Sequence, residues 1–394
     1  MAEKDLNVAF TDEKYATKQE VANVYGSSLI TDSLWVKISE YRKQYRLTLS
    51  LTDTRKTPYF LTLTPRINFK ISNAFTKLNE TLAKINKLKN ESASLYNKFV
   101  SLKNKEILSK ILNDTNTNFL ASILNGTANN LKGLEEDKDL AIGYYNAISN
   151  LFKTKELAVD EDSLINLYMD VSRNYELTTL YRRLDFMAKK SLIARDFNGV
   201  PSTYIDIYMN QLFKFIEDDK YYPLTKGIIS FFDILMIKPF EKYNELLGIL
   251  LFKKILFSSS YDENIYLLPF ECLLKDANKV NKILNDVYKT NDITYLAMYF
   301  VELIDQIYIE TLDLITNINL KEAVEEKRQP EEEFETLVDE IKEDVVVTET
   351  TEVEEISPKS TNKPTKKKEN LDTPTVSREQ IAISTSIPTI DEKD

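Results

Sequence analysis

The residues best able to do chemistry lie in one segment, residues 231–256, which reads FFDILMIKPFEKYNELLGILLFKKIL. Lys238 is its candidate base or nucleophile. The apolar neighbours would have to lower its pKa by about three units for it to act at neutral pH, because free lysine titrates near 10.4. Glu241 and Glu245 lie close in sequence and would hold it protonated. We therefore expect Lys238 at the mouth of a groove, with its ammonium in water and an ordinary pKa.

Two residue counts exclude most other chemistries. The chain has no histidine, which excludes histidine-based nucleophile pairs, proton shuttles and metal sites. Its one cysteine, Cys272, lies among apolar neighbours, which favours a buried, inert thiol over a nucleophile. No glycine-rich phosphate loop occurs. We predict no metal and no cofactor. A cytoplasmic location is expected because a lone thiol forms no internal disulfide and the N-terminus has no apolar signal region.

The order Lys238-Pro239-Phe240, Asn244 and Gly248 resembles the signature of the Fic family, a loop of the form HPFx(D/E)GNGRxxR. In that family the loop joins two central helices. Its histidine takes the proton from a target hydroxyl, its carboxylate holds Mg²⁺, and its backbone N–H groups cradle the nucleotide phosphates. The resemblance implies a mainly α fold, namely a Fido-like helical bundle with a small β-hairpin flap.

Segments around the loop follow the same family order over about residues 68–310. Those before it are Val200-Pro201-Ser202 and Tyr222-Pro223-Leu224, and those after it are Leu268-Pro269-Phe270 and Asn291-Asp292-Ile293. Residues 105–114 resemble the family's inhibitory helix. There, Ser109 is followed by Asn113, where the family has its inhibitory glutamate.

The family's catalytic positions carry residues of the wrong chemistry. They are Lys238 for the histidine, Lys242 for the Mg²⁺ carboxylate, Tyr243 and Glu245 for two glycines, and Leu246 and Ile249 for two arginines. Only Pro239, Phe240 and Asn244 match, with Gly248 beside the motif. We interpret these as fold residues, with Phe240 in the core and Asn244 capping the following helix.

The best basic patch consists of Arg182, Arg183, Lys189, Lys190 and Arg195. In the resemblance these residues flank the flap, where Fic proteins dock a target chain by strand addition. They could equally be a solvated face. A nucleic-acid partner is the weaker hypothesis. Residues 321–356 carry 15 acidic and 4 basic side chains, so nearly all of the net charge of −11 lies there and the body is almost neutral.

The pattern of elements predicts three parts. Residues 1–65 form an N-terminal α+β cap, with helices at 17–25 and 33–45 and a hairpin of strands at 46–52 and 57–64. Residues 66–320 form the helical domain, in which the apolar run 246–257 is a buried helix too short and too charged to span a membrane. Residues 321–394 form an acidic tail, disordered from about Glu325.

These observations support three functions, in order. The first is a catalytically silent Fic-like protein that binds a protein partner. The second is an active nucleotidyl-transferase of protein hydroxyls that uses Lys238. The third is a nucleic-acid-associated protein. The sequence leaves homo-oligomerisation open.

Overall fold

The computed structural model describes the backbone of residues 6–26, 28–112, 117–129, 131, 134–155, 157–175, 181–185, 193–260 and 262–346, and side chains as far as residue 320. The elements in chain order are α1 Lys18–Tyr25, α2 Ser28–Gln44, β1 Arg46–Thr52, β2 Pro58–Thr62, α3 Pro65–Glu91, α4 Ala93–Leu112, α5 Thr117–Leu124, α6 Glu136–Thr154, α7 Glu161–Ser172, α8 Ile205–Glu217, α9 Pro223–Ile237, α10 Asn244–Ser260, α11 Cys272–Lys275, α12 Ala277–Thr290 and α13 Thr294–Val346. The fold is mainly α with one small sheet, as the sequence predicts.

Local sequence signals explain where several helices begin. The Thr17 hydroxyl accepts a hydrogen bond from the N–H of Glu20, whose carboxylate accepts one from the N–H of Thr17, and this capping box starts α1. Pro65 and Pro223 begin α3 and α9. The first helical position suits proline because its missing N–H has no intrahelical partner there.

The two strands form the predicted antiparallel hairpin, in which Arg46 pairs with Thr62. Asp53 closes its turn, because the Oδ1 atom accepts hydrogen bonds from the backbone N–H groups of Arg55 and Thr57, both at 2.9 Å. On its other side β2 meets the start of α13, where the N–H of Ile293 donates to the carbonyl of Phe60 at 2.9 Å. The hairpin is thereby joined to the helical bundle.

Helices α9 and α10 pack against each other at the centre of the core. Residues 227–237 and 246–257 are all buried, which confirms the predicted buried helix. Gly248 lets the two helices approach, since a Cβ there would lie 3.1 Å from the Phe231 ring. Gly248 therefore serves packing.

Two ionisable groups in this core face each other. Lys253 Nζ lies 2.6 Å from Glu271 Oε1, and both side chains are fully buried. The Tyr144 hydroxyl donates to the same carboxylate oxygen. The charges are therefore paired within the core, as burial requires.

Asp233 is a further buried carboxyl, on α9, and burial raises its pKa to about 8. Its pKa in the unfolded chain is near 3.9, so the folded state binds the extra proton. We expect stability to fall as pH rises from about 4 to 8, and Asp233→Asn to remove that fall, with a gain on the order of 4 kcal/mol at pH 7. Urea unfolding of both proteins at pH 5 and 8 measures this, with the exposed Asp206→Asn as control. A pH dependence identical in wild type and Asp233→Asn contradicts it.

The chain divides by compactness into Met1–Gln329 and Pro330–Asp394. Sequence analysis places the onset of disorder near Glu325, but α13 is helical to Val346. That extension is rich in glutamate, which is a good helix former. Residues 347–394 lie outside the described residues, so their disorder stays a prediction, as do the domain boundaries at 65 and 320. Within the described part of the chain, we find no helix with the length and apolar character needed to cross a bilayer.

Candidate functional site

The loop between α9 and α10, residues 238–243, is closed at both ends. Lys238 and Tyr243 adopt left-handed backbone conformations, with φ of 49° and 64°. The Asn244 amide binds both backbone groups of Phe240: its Oδ1 accepts from the N–H at 3.0 Å and its Nδ2 donates to the carbonyl at 2.8 Å. The expected helix cap by Asn244 is therefore wrong. Asn244 is the first residue of α10, and its amide bonds back to the loop.

Phe240 anchors the loop in the core. Its side chain is buried and stacks on Tyr168, with ring centres 4.1 Å apart and an interplanar angle of 15°. The Tyr181 ring lies against it at 5.7 Å. The assignment of Phe240 to the core is correct.

Lys238 is buried, contrary to the expectation that its ammonium lies in water. Only 1% of the residue is exposed. Its Nζ donates hydrogen bonds to the carbonyls of Ala194 at 2.8 Å and Phe197 at 2.6 Å. The expectation was wrong because it considered only sequence neighbours, whereas both acceptors lie more than 40 residues away.

The pKa of Lys238 is also displaced from its expected ordinary value. Burial lowers the pKa to about 8, helped by the positive charge of Arg182 and opposed by the carboxylates of Glu245 and Asp196. Desolvation disfavours the charged form of an amine, so the direction follows from its position.

Arg182 does not belong to an exposed basic patch. The side chain is 1% exposed. Its guanidinium donates to the carbonyls of Lys238 at 2.7 Å, Leu184 at 2.7 Å and Ile237 at 3.4 Å, and to that of Val200. Arginine suits this position because its rigid fork carries five donors. Sequence pattern did not reveal this, because main-chain carbonyls leave no residue-type signal.

The other residues of the predicted patch differ in their placement. Arg183 and Arg195 are exposed. Lys189 and Lys190 lie outside the described residues. The described stretches on either side, 181–185 and 193–200, contain no strand, and the two strands of the described chain are those of the N-terminal hairpin.

Comparisons with known proteins bear on the fold. No family model matches the chain, and neither does any curated protein. Among solved structures, the chain is similar to a Fic family protein from Desulfovibrio desulfuricans G20, with a TM-score of 0.50 and 16% identity. The match covers 64% of this chain and 75% of that one. This chain has a Fic-type fold.

The residues compared with the nucleotide and metal positions of the Fic signature are ion-paired or buried, and the comparison of positions itself stays a prediction. Lys242 Nζ forms an ion pair with Glu136 Oε1 at 2.6 Å, and the Tyr243 hydroxyl donates to the same oxygen at 3.4 Å. Leu246 and Ile249 are buried in the core.

The region compared with the Fic inhibitory helix is α4, which packs against α3, α6 and α11. Ser109 donates its hydroxyl to the carbonyl of Glu106 at 2.7 Å, one turn earlier in the same helix. Asn113 lies outside the described residues, so its assignment stays a prediction.

In the described residues, no three Asp, Glu or Cys side chains are grouped so as to hold a metal ion. Cys272 is half-buried, not fully buried as predicted. Burial raises the pKa of its thiol to about 12, because desolvation disfavours the thiolate.

Proposed function

We propose that this chain is a catalytically silent Fic-fold protein that acts as a protein-interaction module. One observation carries the proposal, which is that the residue at the position of the motif histidine is buried with its ammonium hydrogen-bonded to two main-chain carbonyls. A general base must reach the proton that it removes. The Lys238 ammonium instead donates its hydrogen bonds to the main-chain carbonyls of Ala194 and Phe197. The ion-paired Lys242 and the buried Leu246 and Ile249 support the same proposal, because a cation and two apolar side chains offer no ligand to a metal ion or a triphosphate.

A second candidate function, nucleotidyl transfer with Lys238 as base or nucleophile, is favoured by the lowered pKa of that residue. An amine with a pKa of about 8 is partly neutral at neutral pH, as base catalysis requires. The two acceptors within 2.8 Å argue against it, because a reacting amine would first have to leave both.

Calorimetric titration with Mg-ATP separates the two candidates. We expect no saturable binding at millimolar or tighter affinity, and no transfer of labelled nucleotide to the protein itself or to a lysate. Lys238→Ala should give the same result as wild type in both assays. If wild type transfers labelled nucleotide and Lys238→Ala does not, the proposal of a catalytically silent protein is overturned and the second candidate function is established.

A separate experiment tests the proposal that the chain binds a protein partner. Arg183 and Arg195 are the exposed members of the basic patch in the described chain and remain candidates for partner binding. Co-purification from native cytoplasm, compared between wild type and the Arg183→Glu, Arg195→Glu double variant, measures their contribution. We expect the double variant to recover less of a specific partner. Equal recovery by both proteins excludes this patch.

A further inference from the structure

Residues 193–200, here called the strap, cross the end of α9 and the first residues of the motif loop. The N–H of Val200 donates to the carbonyl of Ile237 at 3.2 Å, and the Val200 carbonyl accepts from Arg182. Gly199 allows the strap to pass close to the backbone at the end of α9. Its φ is +76°, and a Cβ there would lie 2.9 Å from the Ile237 carbonyl oxygen. The C-terminal end of the strap is thus fixed by backbone contact.

The N-terminal half of the strap depends on Lys238. The N–H of Phe197 donates to the carbonyl of Ala194 at 3.2 Å, which makes a tight turn. Lys238 Nζ binds the carbonyls of both these residues and so joins the turn to the motif loop. Ala194 itself has a φ of 55°, a conformation that non-glycine residues seldom adopt. The buried amine holds this turn in place.

The outer side of the strap rests on α12 through weaker contacts. Asn285 Nδ2 donates to Asp196 Oδ2 at 3.2 Å, and both side chains are at least partly exposed. The Phe197 ring packs against Tyr288 at 4.9 Å. These surface contacts contribute little compared with the buried bonds of Lys238.

We propose that the strap is a latch that Lys238 closes over the buried start of the motif loop, residues 238–240. The latch goes beyond the proposed function and does not rest on it. Opening requires Lys238 to release the two carbonyls while Arg182 still holds the far end of the strap. Lys238, at the position compared with the motif histidine, thus holds the strap closed.

The latch has a predictable pH dependence. The charged groups around Lys238 are Glu245 of α10, Asp196 of the strap and Arg182, and burial sets the direction of its shift. The pKa is about 8 when the strap is closed and returns toward the ordinary lysine value of about 10.4 when the strap opens into water. The open state therefore binds the proton more tightly, so closure becomes more favourable as pH rises from about 8 to 10. A neutral amine still has two N–H donors for the two carbonyls.

Limited trypsin digestion reports opening, because Arg195 is an exposed cleavage site within the strap. In Lys238→Met, which keeps the apolar stem, we expect cleavage after Arg195 to be about tenfold faster than in wild type, as the loss of two buried hydrogen bonds implies. Lys242→Met is the matched control, because Lys242 lies in the same loop but pairs with Glu136. It should digest like wild type. Amide exchange in α10 should stay slow in both variants, which shows that the fold is intact.

Two further measurements distinguish opening of the latch from global unfolding of Lys238→Met. Asn285→Ala removes the outer contact without touching the core and should speed cleavage after Arg195 severalfold. In wild type, the protection factor of the Phe197 amide, which donates to the Ala194 carbonyl, should rise between pH 8 and 10, and this rise should vanish in Lys238→Met. Cleavage of Lys238→Met at the wild-type rate refutes the latch, whatever the rate for Asn285→Ala. Nucleotide transfer by wild type refutes the proposed function instead, and leaves the digestion result standing.

Discussion

Arg182→Ala should lower the free energy of unfolding by about 3–5 kcal/mol, because it leaves buried carbonyls without donors. The guanidinium binds the carbonyls of Ile237, Lys238 and Val200 in the protein interior, and that of Leu184, which is exposed. Urea unfolding monitored by circular dichroism measures the change. The loss of stability is large because the one side chain hydrogen-bonds to segments that are far apart in sequence.

The neighbouring arginine supplies the control for this experiment. Arg183 is exposed, so Arg183→Ala should change stability by less than about 0.5 kcal/mol. If the two variants are equally stable, the buried network around Arg182 is not what holds the loop.

The second large effect concerns the buried ion pair. Lys253→Met should destabilise the protein by about 3–5 kcal/mol, because it leaves Glu271 charged and unpaired in the core. Adding Glu271→Gln to Lys253→Met removes that charge and keeps an acceptor for the Tyr144 hydroxyl. We expect the double variant to recover more than half of the loss.

Chemical denaturation of wild type, the two single variants and the double variant forms a thermodynamic cycle for this pair. A double variant less stable than Lys253→Met alone contradicts the assignment of the loss to an unpaired charge. A Lys253→Met protein as stable as wild type shows that Glu271 becomes protonated at little cost.

Local sequence was sufficient for much of the fold. The hairpin followed from alternating residues in 46–52 and from Asp53 in the turn, and the structure has both features. The buried helix followed from the apolar run 246–257. Such elements depend on neighbours within a few residues, where pattern and propensity apply. The sequence predicts disorder from about Glu325 because the tail has few apolar residues to form a core, whereas its many glutamates favour helix, and α13 extends to Val346.

For the candidate site, too, the sequence was sufficient for some features and not for others. Residue identity was sufficient to predict that the segment compared with the Fic motif lacks the histidine, the metal carboxylate and the arginines. It did not determine where Lys238 and Arg182 lie.

That both cations are buried and bound to the main chain follows from the folded chain alone. Their acceptors are backbone carbonyls, which every residue possesses, so no residue type marks them in advance. Sequence analysis weighed Lys238 against the nearby carboxylates and predicted an ammonium in water. In the folded chain, carbonyls brought from residues 194 and 197 surround the same group, because long-range packing, and not sequence distance, sets which atoms meet.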